Sequence, residues 1–137
     1  MIKAIVKDHF LLQQKSLPVS REDLYIVEDL IDTLRFHRQT CLGMAANMIG
    51  YLKTMMIVLD NDHELILINP EIIAHSRELY ETEEGCLCHG YVHHVKRYAY
   101  IKVAYVDERF KKREKTFRGL TAQIIQHEMD HFSGKLI

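Results

Sequence analysis

At 137 residues the chain is long enough to bury a core and an internal site as one domain, residues 1–137, and its 18 basic and 19 acidic side chains nearly cancel, so no field gathers nucleic acid or an acidic membrane. No run approaches the roughly twenty apolar residues of a membrane span, and the first residues lack a signal-peptide core, so a cytoplasmic location is expected. Three cysteines, two of them (Cys86 and Cys88) too close to bridge comfortably, argue for thiol or metal chemistry rather than a disulfide framework.

Residues 1–19 show no sustained period. From Ser20, a good N-cap followed by Glu22 and Asp23, apolar residues recur at Leu24, Val27, Leu30, Ile31 and Leu34, which predicts an amphipathic helix ending near His37. Residues 38–50 read as a linking segment whose small residues, Gly43, Ala45, Ala46 and Gly50, suit close approach of the backbone to something else.

Two short apolar runs, residues 54–59 and 64–68, flank Asp60-Asn61-Asp62-His63 and read as strands joined by a tight turn, the second closed by Asn69-Pro70. Residues 71–79 form a third candidate strand. Alternation over residues 98–107, followed by residues 115–118, predicts a further pair around a charged, solvated tip at 108–114. The expected class is α+β: an N-terminal helix, a mostly antiparallel sheet, and a C-terminal helix packed on it.

That last helix carries Gln126-His127-Glu128-Met129-Asp130-His131. A helix turns once in about 3.6 residues, so His127 and His131 share a face and can reach one ion. In the H-E-x-x-H spacing two histidines hold a metal and the glutamate handles the proton of a water the ion activates. Leu120, Ile124 and Ile125 place an apolar stripe upstream, so the histidines are expected on or beside the core-facing side, and Ser133-Gly134 ends the helix. A catalytic ion of this kind usually takes three protein ligands. The segment Glu84-Gly85-Cys86-Leu87-Cys88-His89-Gly90 offers the third as a thiolate, and on spacing alone either Cys86 or Cys88 serves. A Cys, His, His set beside an acid points to metal-assisted hydrolysis of an amide or ester.

With these segments in place the chain resembles the peptide deformylases. Three motifs mark that family, in the order G-x-G-x-A-A-x-Q, E-G-C-x-S and Q-H-E-x-D-H. The third stands complete at residues 126–131, the second appears as Glu84-Gly85-Cys86-Leu87-Cys88, and the first as Cys41-Leu42-Gly43-Met44-Ala45-Ala46-Asn47-Met48. Asn69-Pro70-Glu71, Val95-Lys96-Arg97 and Gly134-Lys135-Leu136-Ile137 also resemble family segments, so the likeness spans nearly the whole chain.

The resemblance implies removal of the formyl group from N-formylmethionyl peptides by an enzyme holding one divalent metal, Fe²⁺ in the physiological form and Zn²⁺ or Ni²⁺ as substitutes. It implies Cys86, His127 and His131 as ligands and Glu128 as general base and acid, with the backbone N–H of Leu87 and the glutamine closing the first motif on the oxyanion. Gly43 would line the substrate backbone, while Leu42, Ile124 and the His127 ring would border the methionine side chain. It also implies nascent peptides as partners, with transient ribosome contact.

Three departures bear on rate. Met48 stands where the family has glutamine, and a thioether donates no hydrogen bond. Losing one oxyanion donor costs about 10² to 10³ in rate. Asn47 carries an amide, but in an extended segment it faces away from its neighbour. Cys41 replaces the first glycine, and Cys88 the serine. An alternative reading is therefore a weakened, deformylase-like protein acting as a metal-containing peptide-binding or regulatory module. An unrelated H-E-x-x-H protease fits less well, because the cysteine motif has no place in it.

Overall fold

The computed structural model describes residues 1–87 and 89–137, with only the backbone of His89 and Gly90. Cys88 lies outside the described residues. Among these, the N-terminal part holds a one-turn helix α1 (His9–Leu12) and helix α2 (Tyr25–Phe36), followed by strand β1 (Gly43–Ala45), β2 (Met55–Asp60) and β3 (His63–His75). The second half holds β4 (Leu79–Cys86), β5 (His89–Tyr98), β6 (Tyr100–Val106), β7 (Lys112–Arg118) and helix α3 (Gly119–Phe132). The α+β class is as expected. No helix among the described residues is long and apolar enough to cross a membrane.

One antiparallel sheet runs β1-β2-β3-β6-β7, and β4 and β5 form a separate hairpin. Strand β2 is buried from Met55 to Leu59 because both faces are covered, by α2 and by α3, which explains its unbroken apolar run. Helix α2 buries Ile26, Leu30, Thr33 and Leu34 against this sheet, while α3 contributes Ala122 and Ile125. Burying each of the Ile and Leu side chains stabilises the fold by roughly 1.5 to 3 kcal/mol. Leu120, expected on the apolar stripe of α3, is instead exposed in its first turn.

Several expectations are corrected. The helix predicted over 20–37 begins as a 3-10 turn, Arg21–Asp23, in which Asp23 Oδ2 accepts from the Ser20 backbone N–H at 2.9 Å; the α-helix proper starts at Tyr25. The stretch 1–19 contains α1, capped by Asp8, whose carboxylate accepts from Phe10 N–H; four residues are too few to show a period.

Asn69-Pro70 does not close a strand but sits inside β3 as a bulge, with Asn69 at φ 49° and the register to β6 shifting between Ile68 and Glu71. The Asn69 side chain clamps the N-terminal segment by accepting from Val19 N–H at 2.8 Å and donating to Val19 O at 3.1 Å. Residues 71–79 are thus the end of β3 and the first residue of β4 rather than one strand. Residues 38–50 are not merely a link: they contain β1 and a 3-10 turn, Ala46–Ile49. The charged tip expected over 108–114 is shorter: Asp107 Oδ1 accepts from the Arg109 and Lys111 backbone N–H groups to close the turn, and Lys112–Glu114 already pair with β6 as the start of β7.

Candidate active site

Helix α3 crosses the sheet face at β1 and β2, and the β4–β5 hairpin folds back over the same helix. The two are locked by charge. Arg97 of β5 donates to both oxygens of Glu84 on β4, at 2.9 and 2.7 Å, and to Asp130 of α3 at 2.7 Å. Gln126 completes the lock: its amide accepts from Tyr98 N–H at 2.8 Å and donates to Tyr98 O at 3.0 Å, extending the strand's hydrogen bonding into the helix. These contacts set Cys86, at the end of β4, over the histidines of α3.

Cys86 Sγ lies 3.3 Å from His131 Nε2, which lies 3.2 Å from His127 Nε2, and the three ligand atoms all fall within 4.8 Å of one another. Donors held about 2.0 to 2.3 Å from a tetrahedral ion are spaced roughly 3.3 to 3.8 Å apart, so the trio fits one ion. Glu84 Oε1 accepts from His127 Nδ1 at 2.7 Å, which turns the lone pair of Nε2 toward the trio. His131 Nδ1 is buried without a hydrogen-bond partner.

The electrostatics favour a cation here. Burial drives the His127 pKa down, but hydrogen bonds to Cys86 and Glu84, with Glu128 nearby, outweigh it and raise the imidazole to about 10 in the metal-free protein. A proton thus stands where a metal cation would be equally welcome. Burial also raises Glu84, yet the Arg97 and His127 hydrogen bonds win and hold it at about 2, so it remains a carboxylate.

Glu128 is 4% exposed, and its Oε1 has no hydrogen-bond partner. Burial raises its pKa, against the opposing pull of His127 and His131. A carboxyl group so placed is ready to take and return a proton.

Cys86, His127 and Glu128 border a cavity of about 300 Å³ that is also lined by Leu42, Gly43, Met48, Leu87 and Ile124, among others. His131 sits beneath it, 1% exposed. A Cβ on Gly43 would collide with Ile124 Cγ2 and stand 3.2 Å from Glu128 Oε2, so only glycine lets β1 pass this close to the acid.

The polypeptide deformylase family model matches residues 2–137. The chain belongs to this family. It is 47% identical over 137 residues to a peptide deformylase of Clostridium beijerinckii, covering all of both chains. Among solved structures it resembles the Thermotoga maritima peptide deformylase, at TM-score 0.89 and 28% identity, covering 99% of this chain and 95% of that one. It also resembles a Met-Ala-Ser-bound class I type b peptide deformylase from Acinetobacter baumannii, at TM-score 0.88 and 28% identity, covering 99% and 97%. Deformylases are metal-dependent hydrolases, and the Cys86, His127, His131 cluster provides a donor set of the right kind.

Within a deformylase frame the departures acquire geometry. Met48 lines the cavity, and its Sδ accepts from Ala45 N–H at 3.4 Å. Asn47 cannot stand in for it: the residue lies in a 3-10 turn, not an extended segment, and its Nδ2 donates to His131 O at 3.0 Å, away from the cavity. His89, a histidine close in sequence to Cys86 that could also donate, has its side chain outside the described residues. Cys41 lines the cavity as a neutral thiol, pushed up to about 12 by burial and then by Glu128, and donates to Gly43 O at 2.8 Å.

Sequence reasoning passed over the roles of Arg97 and Asp130, and of Glu84 as the partner of His127. The available signal was chemical: an acid two residues before the ligand cysteine and an arginine in a segment that already resembled the family.

Proposed function

We propose that residues 1–137 act as a single deformylase domain in which Cys86, His127 and His131 hold one divalent ion and Glu128 moves the proton, releasing formate from the N-terminal formylmethionine of nascent peptides. The observation that carries this reading is the convergence of a thiol and two imidazole nitrogens beside a buried carboxyl oxygen that no protein group satisfies. A bound ion supplies a Lewis acid and lowers the pKa of water. The family resemblance favours Fe²⁺, with Zn²⁺ or Ni²⁺ as substitutes.

Glu128 takes a proton from the attacking water and returns it to the leaving amine, so the N-formyl bond and water become formate and a free α-amine. Leu87 N–H faces the oxygen that gains charge. Leu42 and Ile124, which line the same cavity, border the methionine side chain together with the His127 ring. The peptide backbone lies along β1, an edge strand among the described residues. Formylated chains emerge at the ribosome, so the reading implies cytoplasmic action with transient ribosome contact. The balanced charge supplies no reason for direct nucleic-acid binding.

Protein reconstituted anaerobically with Fe²⁺ is expected to release formate from a formyl-Met dipeptide. Glu128→Gln should keep its metal and lose about 10² to 10⁴ in rate, and Cys86→Ala should lose the metal while Cys88→Ala keeps it. Full occupancy in Cys86→Ala with loss in Cys88→Ala, or an undiminished Glu128→Gln, would overturn the assignment.

A further inference from the structure

Residues of an antiparallel strand alternate between bonding to the partner strand and turning their backbone groups away. Leu42 O accepts from Leu59 N–H at 2.9 Å, and the β1–β2 register pairs Gly43 with Val58 and Met44 with Ile57. The outward-facing residues of β1 are therefore Gly43 and Ala45. Each has one outward group taken by a sulfur: Cys41 Sγ–H donates to Gly43 O at 2.8 Å, and Ala45 N–H donates to Met48 Sδ at 3.4 Å. Sulfur is a weak partner on either side of a hydrogen bond.

The edge opens into the cavity, since Cys41, Gly43 and Met48 all line it. A second feature points to a ligand at this wall: Glu128 is 4% exposed with no hydrogen-bond partner for Oε1, and its Oε2 stands 3.2 Å from where a Gly43 Cβ would lie.

Building on the peptide lying along β1, we propose that the Cys41 thiol is a displaceable cap on Gly43 C=O, a positioning residue that a substrate backbone N–H must dislodge to pair with the strand. In the free protein the cap keeps a buried carbonyl bonded. On peptide binding the carbonyl exchanges a weak S–H donor for an amide N–H, and the thiol swings off. The strength of the residue-41 donor therefore sets part of the affinity for peptide backbone, independent of the side chain the peptide carries. Burial keeps Cys41 protonated, so the cap is present at all ordinary pH values.

The test uses the full chain loaded with Zn²⁺ and the tripeptide Met-Ala-Ser, with affinity read by calorimetry. Cys41→Ala removes the competing donor and should bind about threefold tighter, whereas Cys41→Ser supplies a stronger donor and should bind about threefold to tenfold weaker, with KM for a formylated peptide moving in the same directions. A merely structural role would move both variants the same way. The infrared S–H band of Cys41, isolated by difference against Cys41→Ala, should shift to the frequency of an unbonded thiol when Met-Ala-Ser binds. Shifts of one sign in both variants, no shift in either, an unmoved band in the peptide complex, or no binding of Met-Ala-Ser where formate is still released would each overturn the cap. Opposite shifts in a protein that releases no formate would uphold the cap and overturn the reaction instead.

Discussion

Glu84 Oε1 meets His127 Nδ1 at 2.7 Å, while Arg97 holds both oxygens of the same carboxylate. The orientation of a candidate metal ligand on α3 is thereby decided by an ion pair within the β4–β5 hairpin. Glu84 fixes the proton on the far side of the imidazole and makes the near nitrogen a better donor.

Removing that charge should weaken metal binding without touching a ligand. Glu84→Gln keeps the shape and can still accept from Nδ1, but leaves Arg97 without its paired anion. A loss of about 10-fold to 100-fold in metal affinity is expected, measured by competition with a chromophoric chelator. Unchanged affinity would show that the hairpin, not the carboxylate, orients His127.

The same pair gives the metal-free protein a pH signature. Glu84 is depressed from 4.5 to about 2, so its contribution is present above pH 4.5 and lost as the pH falls through about 2. His127 is raised from 6.5 to about 10, so its contribution is complete below pH 6.5 and lost as the pH rises through about 10. The urea midpoint of chelator-treated protein should therefore be highest between these limits and decline on both sides. Metal loading should flatten the alkaline decline, because the ion takes the nitrogen that the proton held. An alkaline decline equally steep with and without metal would rule out His127 as its source.

Met48→Gln should raise kcat by about tenfold to a thousandfold, with KM little changed, because a donor that acts on developing charge works in the transition state. The geometry favours the exchange: a glutamine oxygen can take over Ala45 N–H from Met48 Sδ and leave its amide NH₂ for the cavity. Stopped-flow and steady-state formate assays separate the two constants. No gain in kcat would mean that another donor already serves the oxyanion, and Asn47 is not it, since its amide is bound to His131 O.

What the sequence determined by itself was whatever depends on neighbours along the chain. The one-turn spacing of His127 and His131 follows from helix geometry, and the apolar run at 54–59 announces a strand, though not that both its faces are covered. The α+β class and the family follow from motifs whose residues are contiguous. Tertiary structure alone decided how distant segments meet. Cys86 reaches the histidines only because β4 and β5 pair and Arg97 ties them to Asp130 on α3, a relation between three elements that no local period encodes. Pro70 reads as a strand end, yet β3 continues through it because Asn69 adopts a left-handed backbone and anchors Val19. Asn47 meets His131 O because α3 packs against β1 and the turn that follows it, and Cys41 finds Gly43 O free because strand order leaves that edge of β1 unpaired.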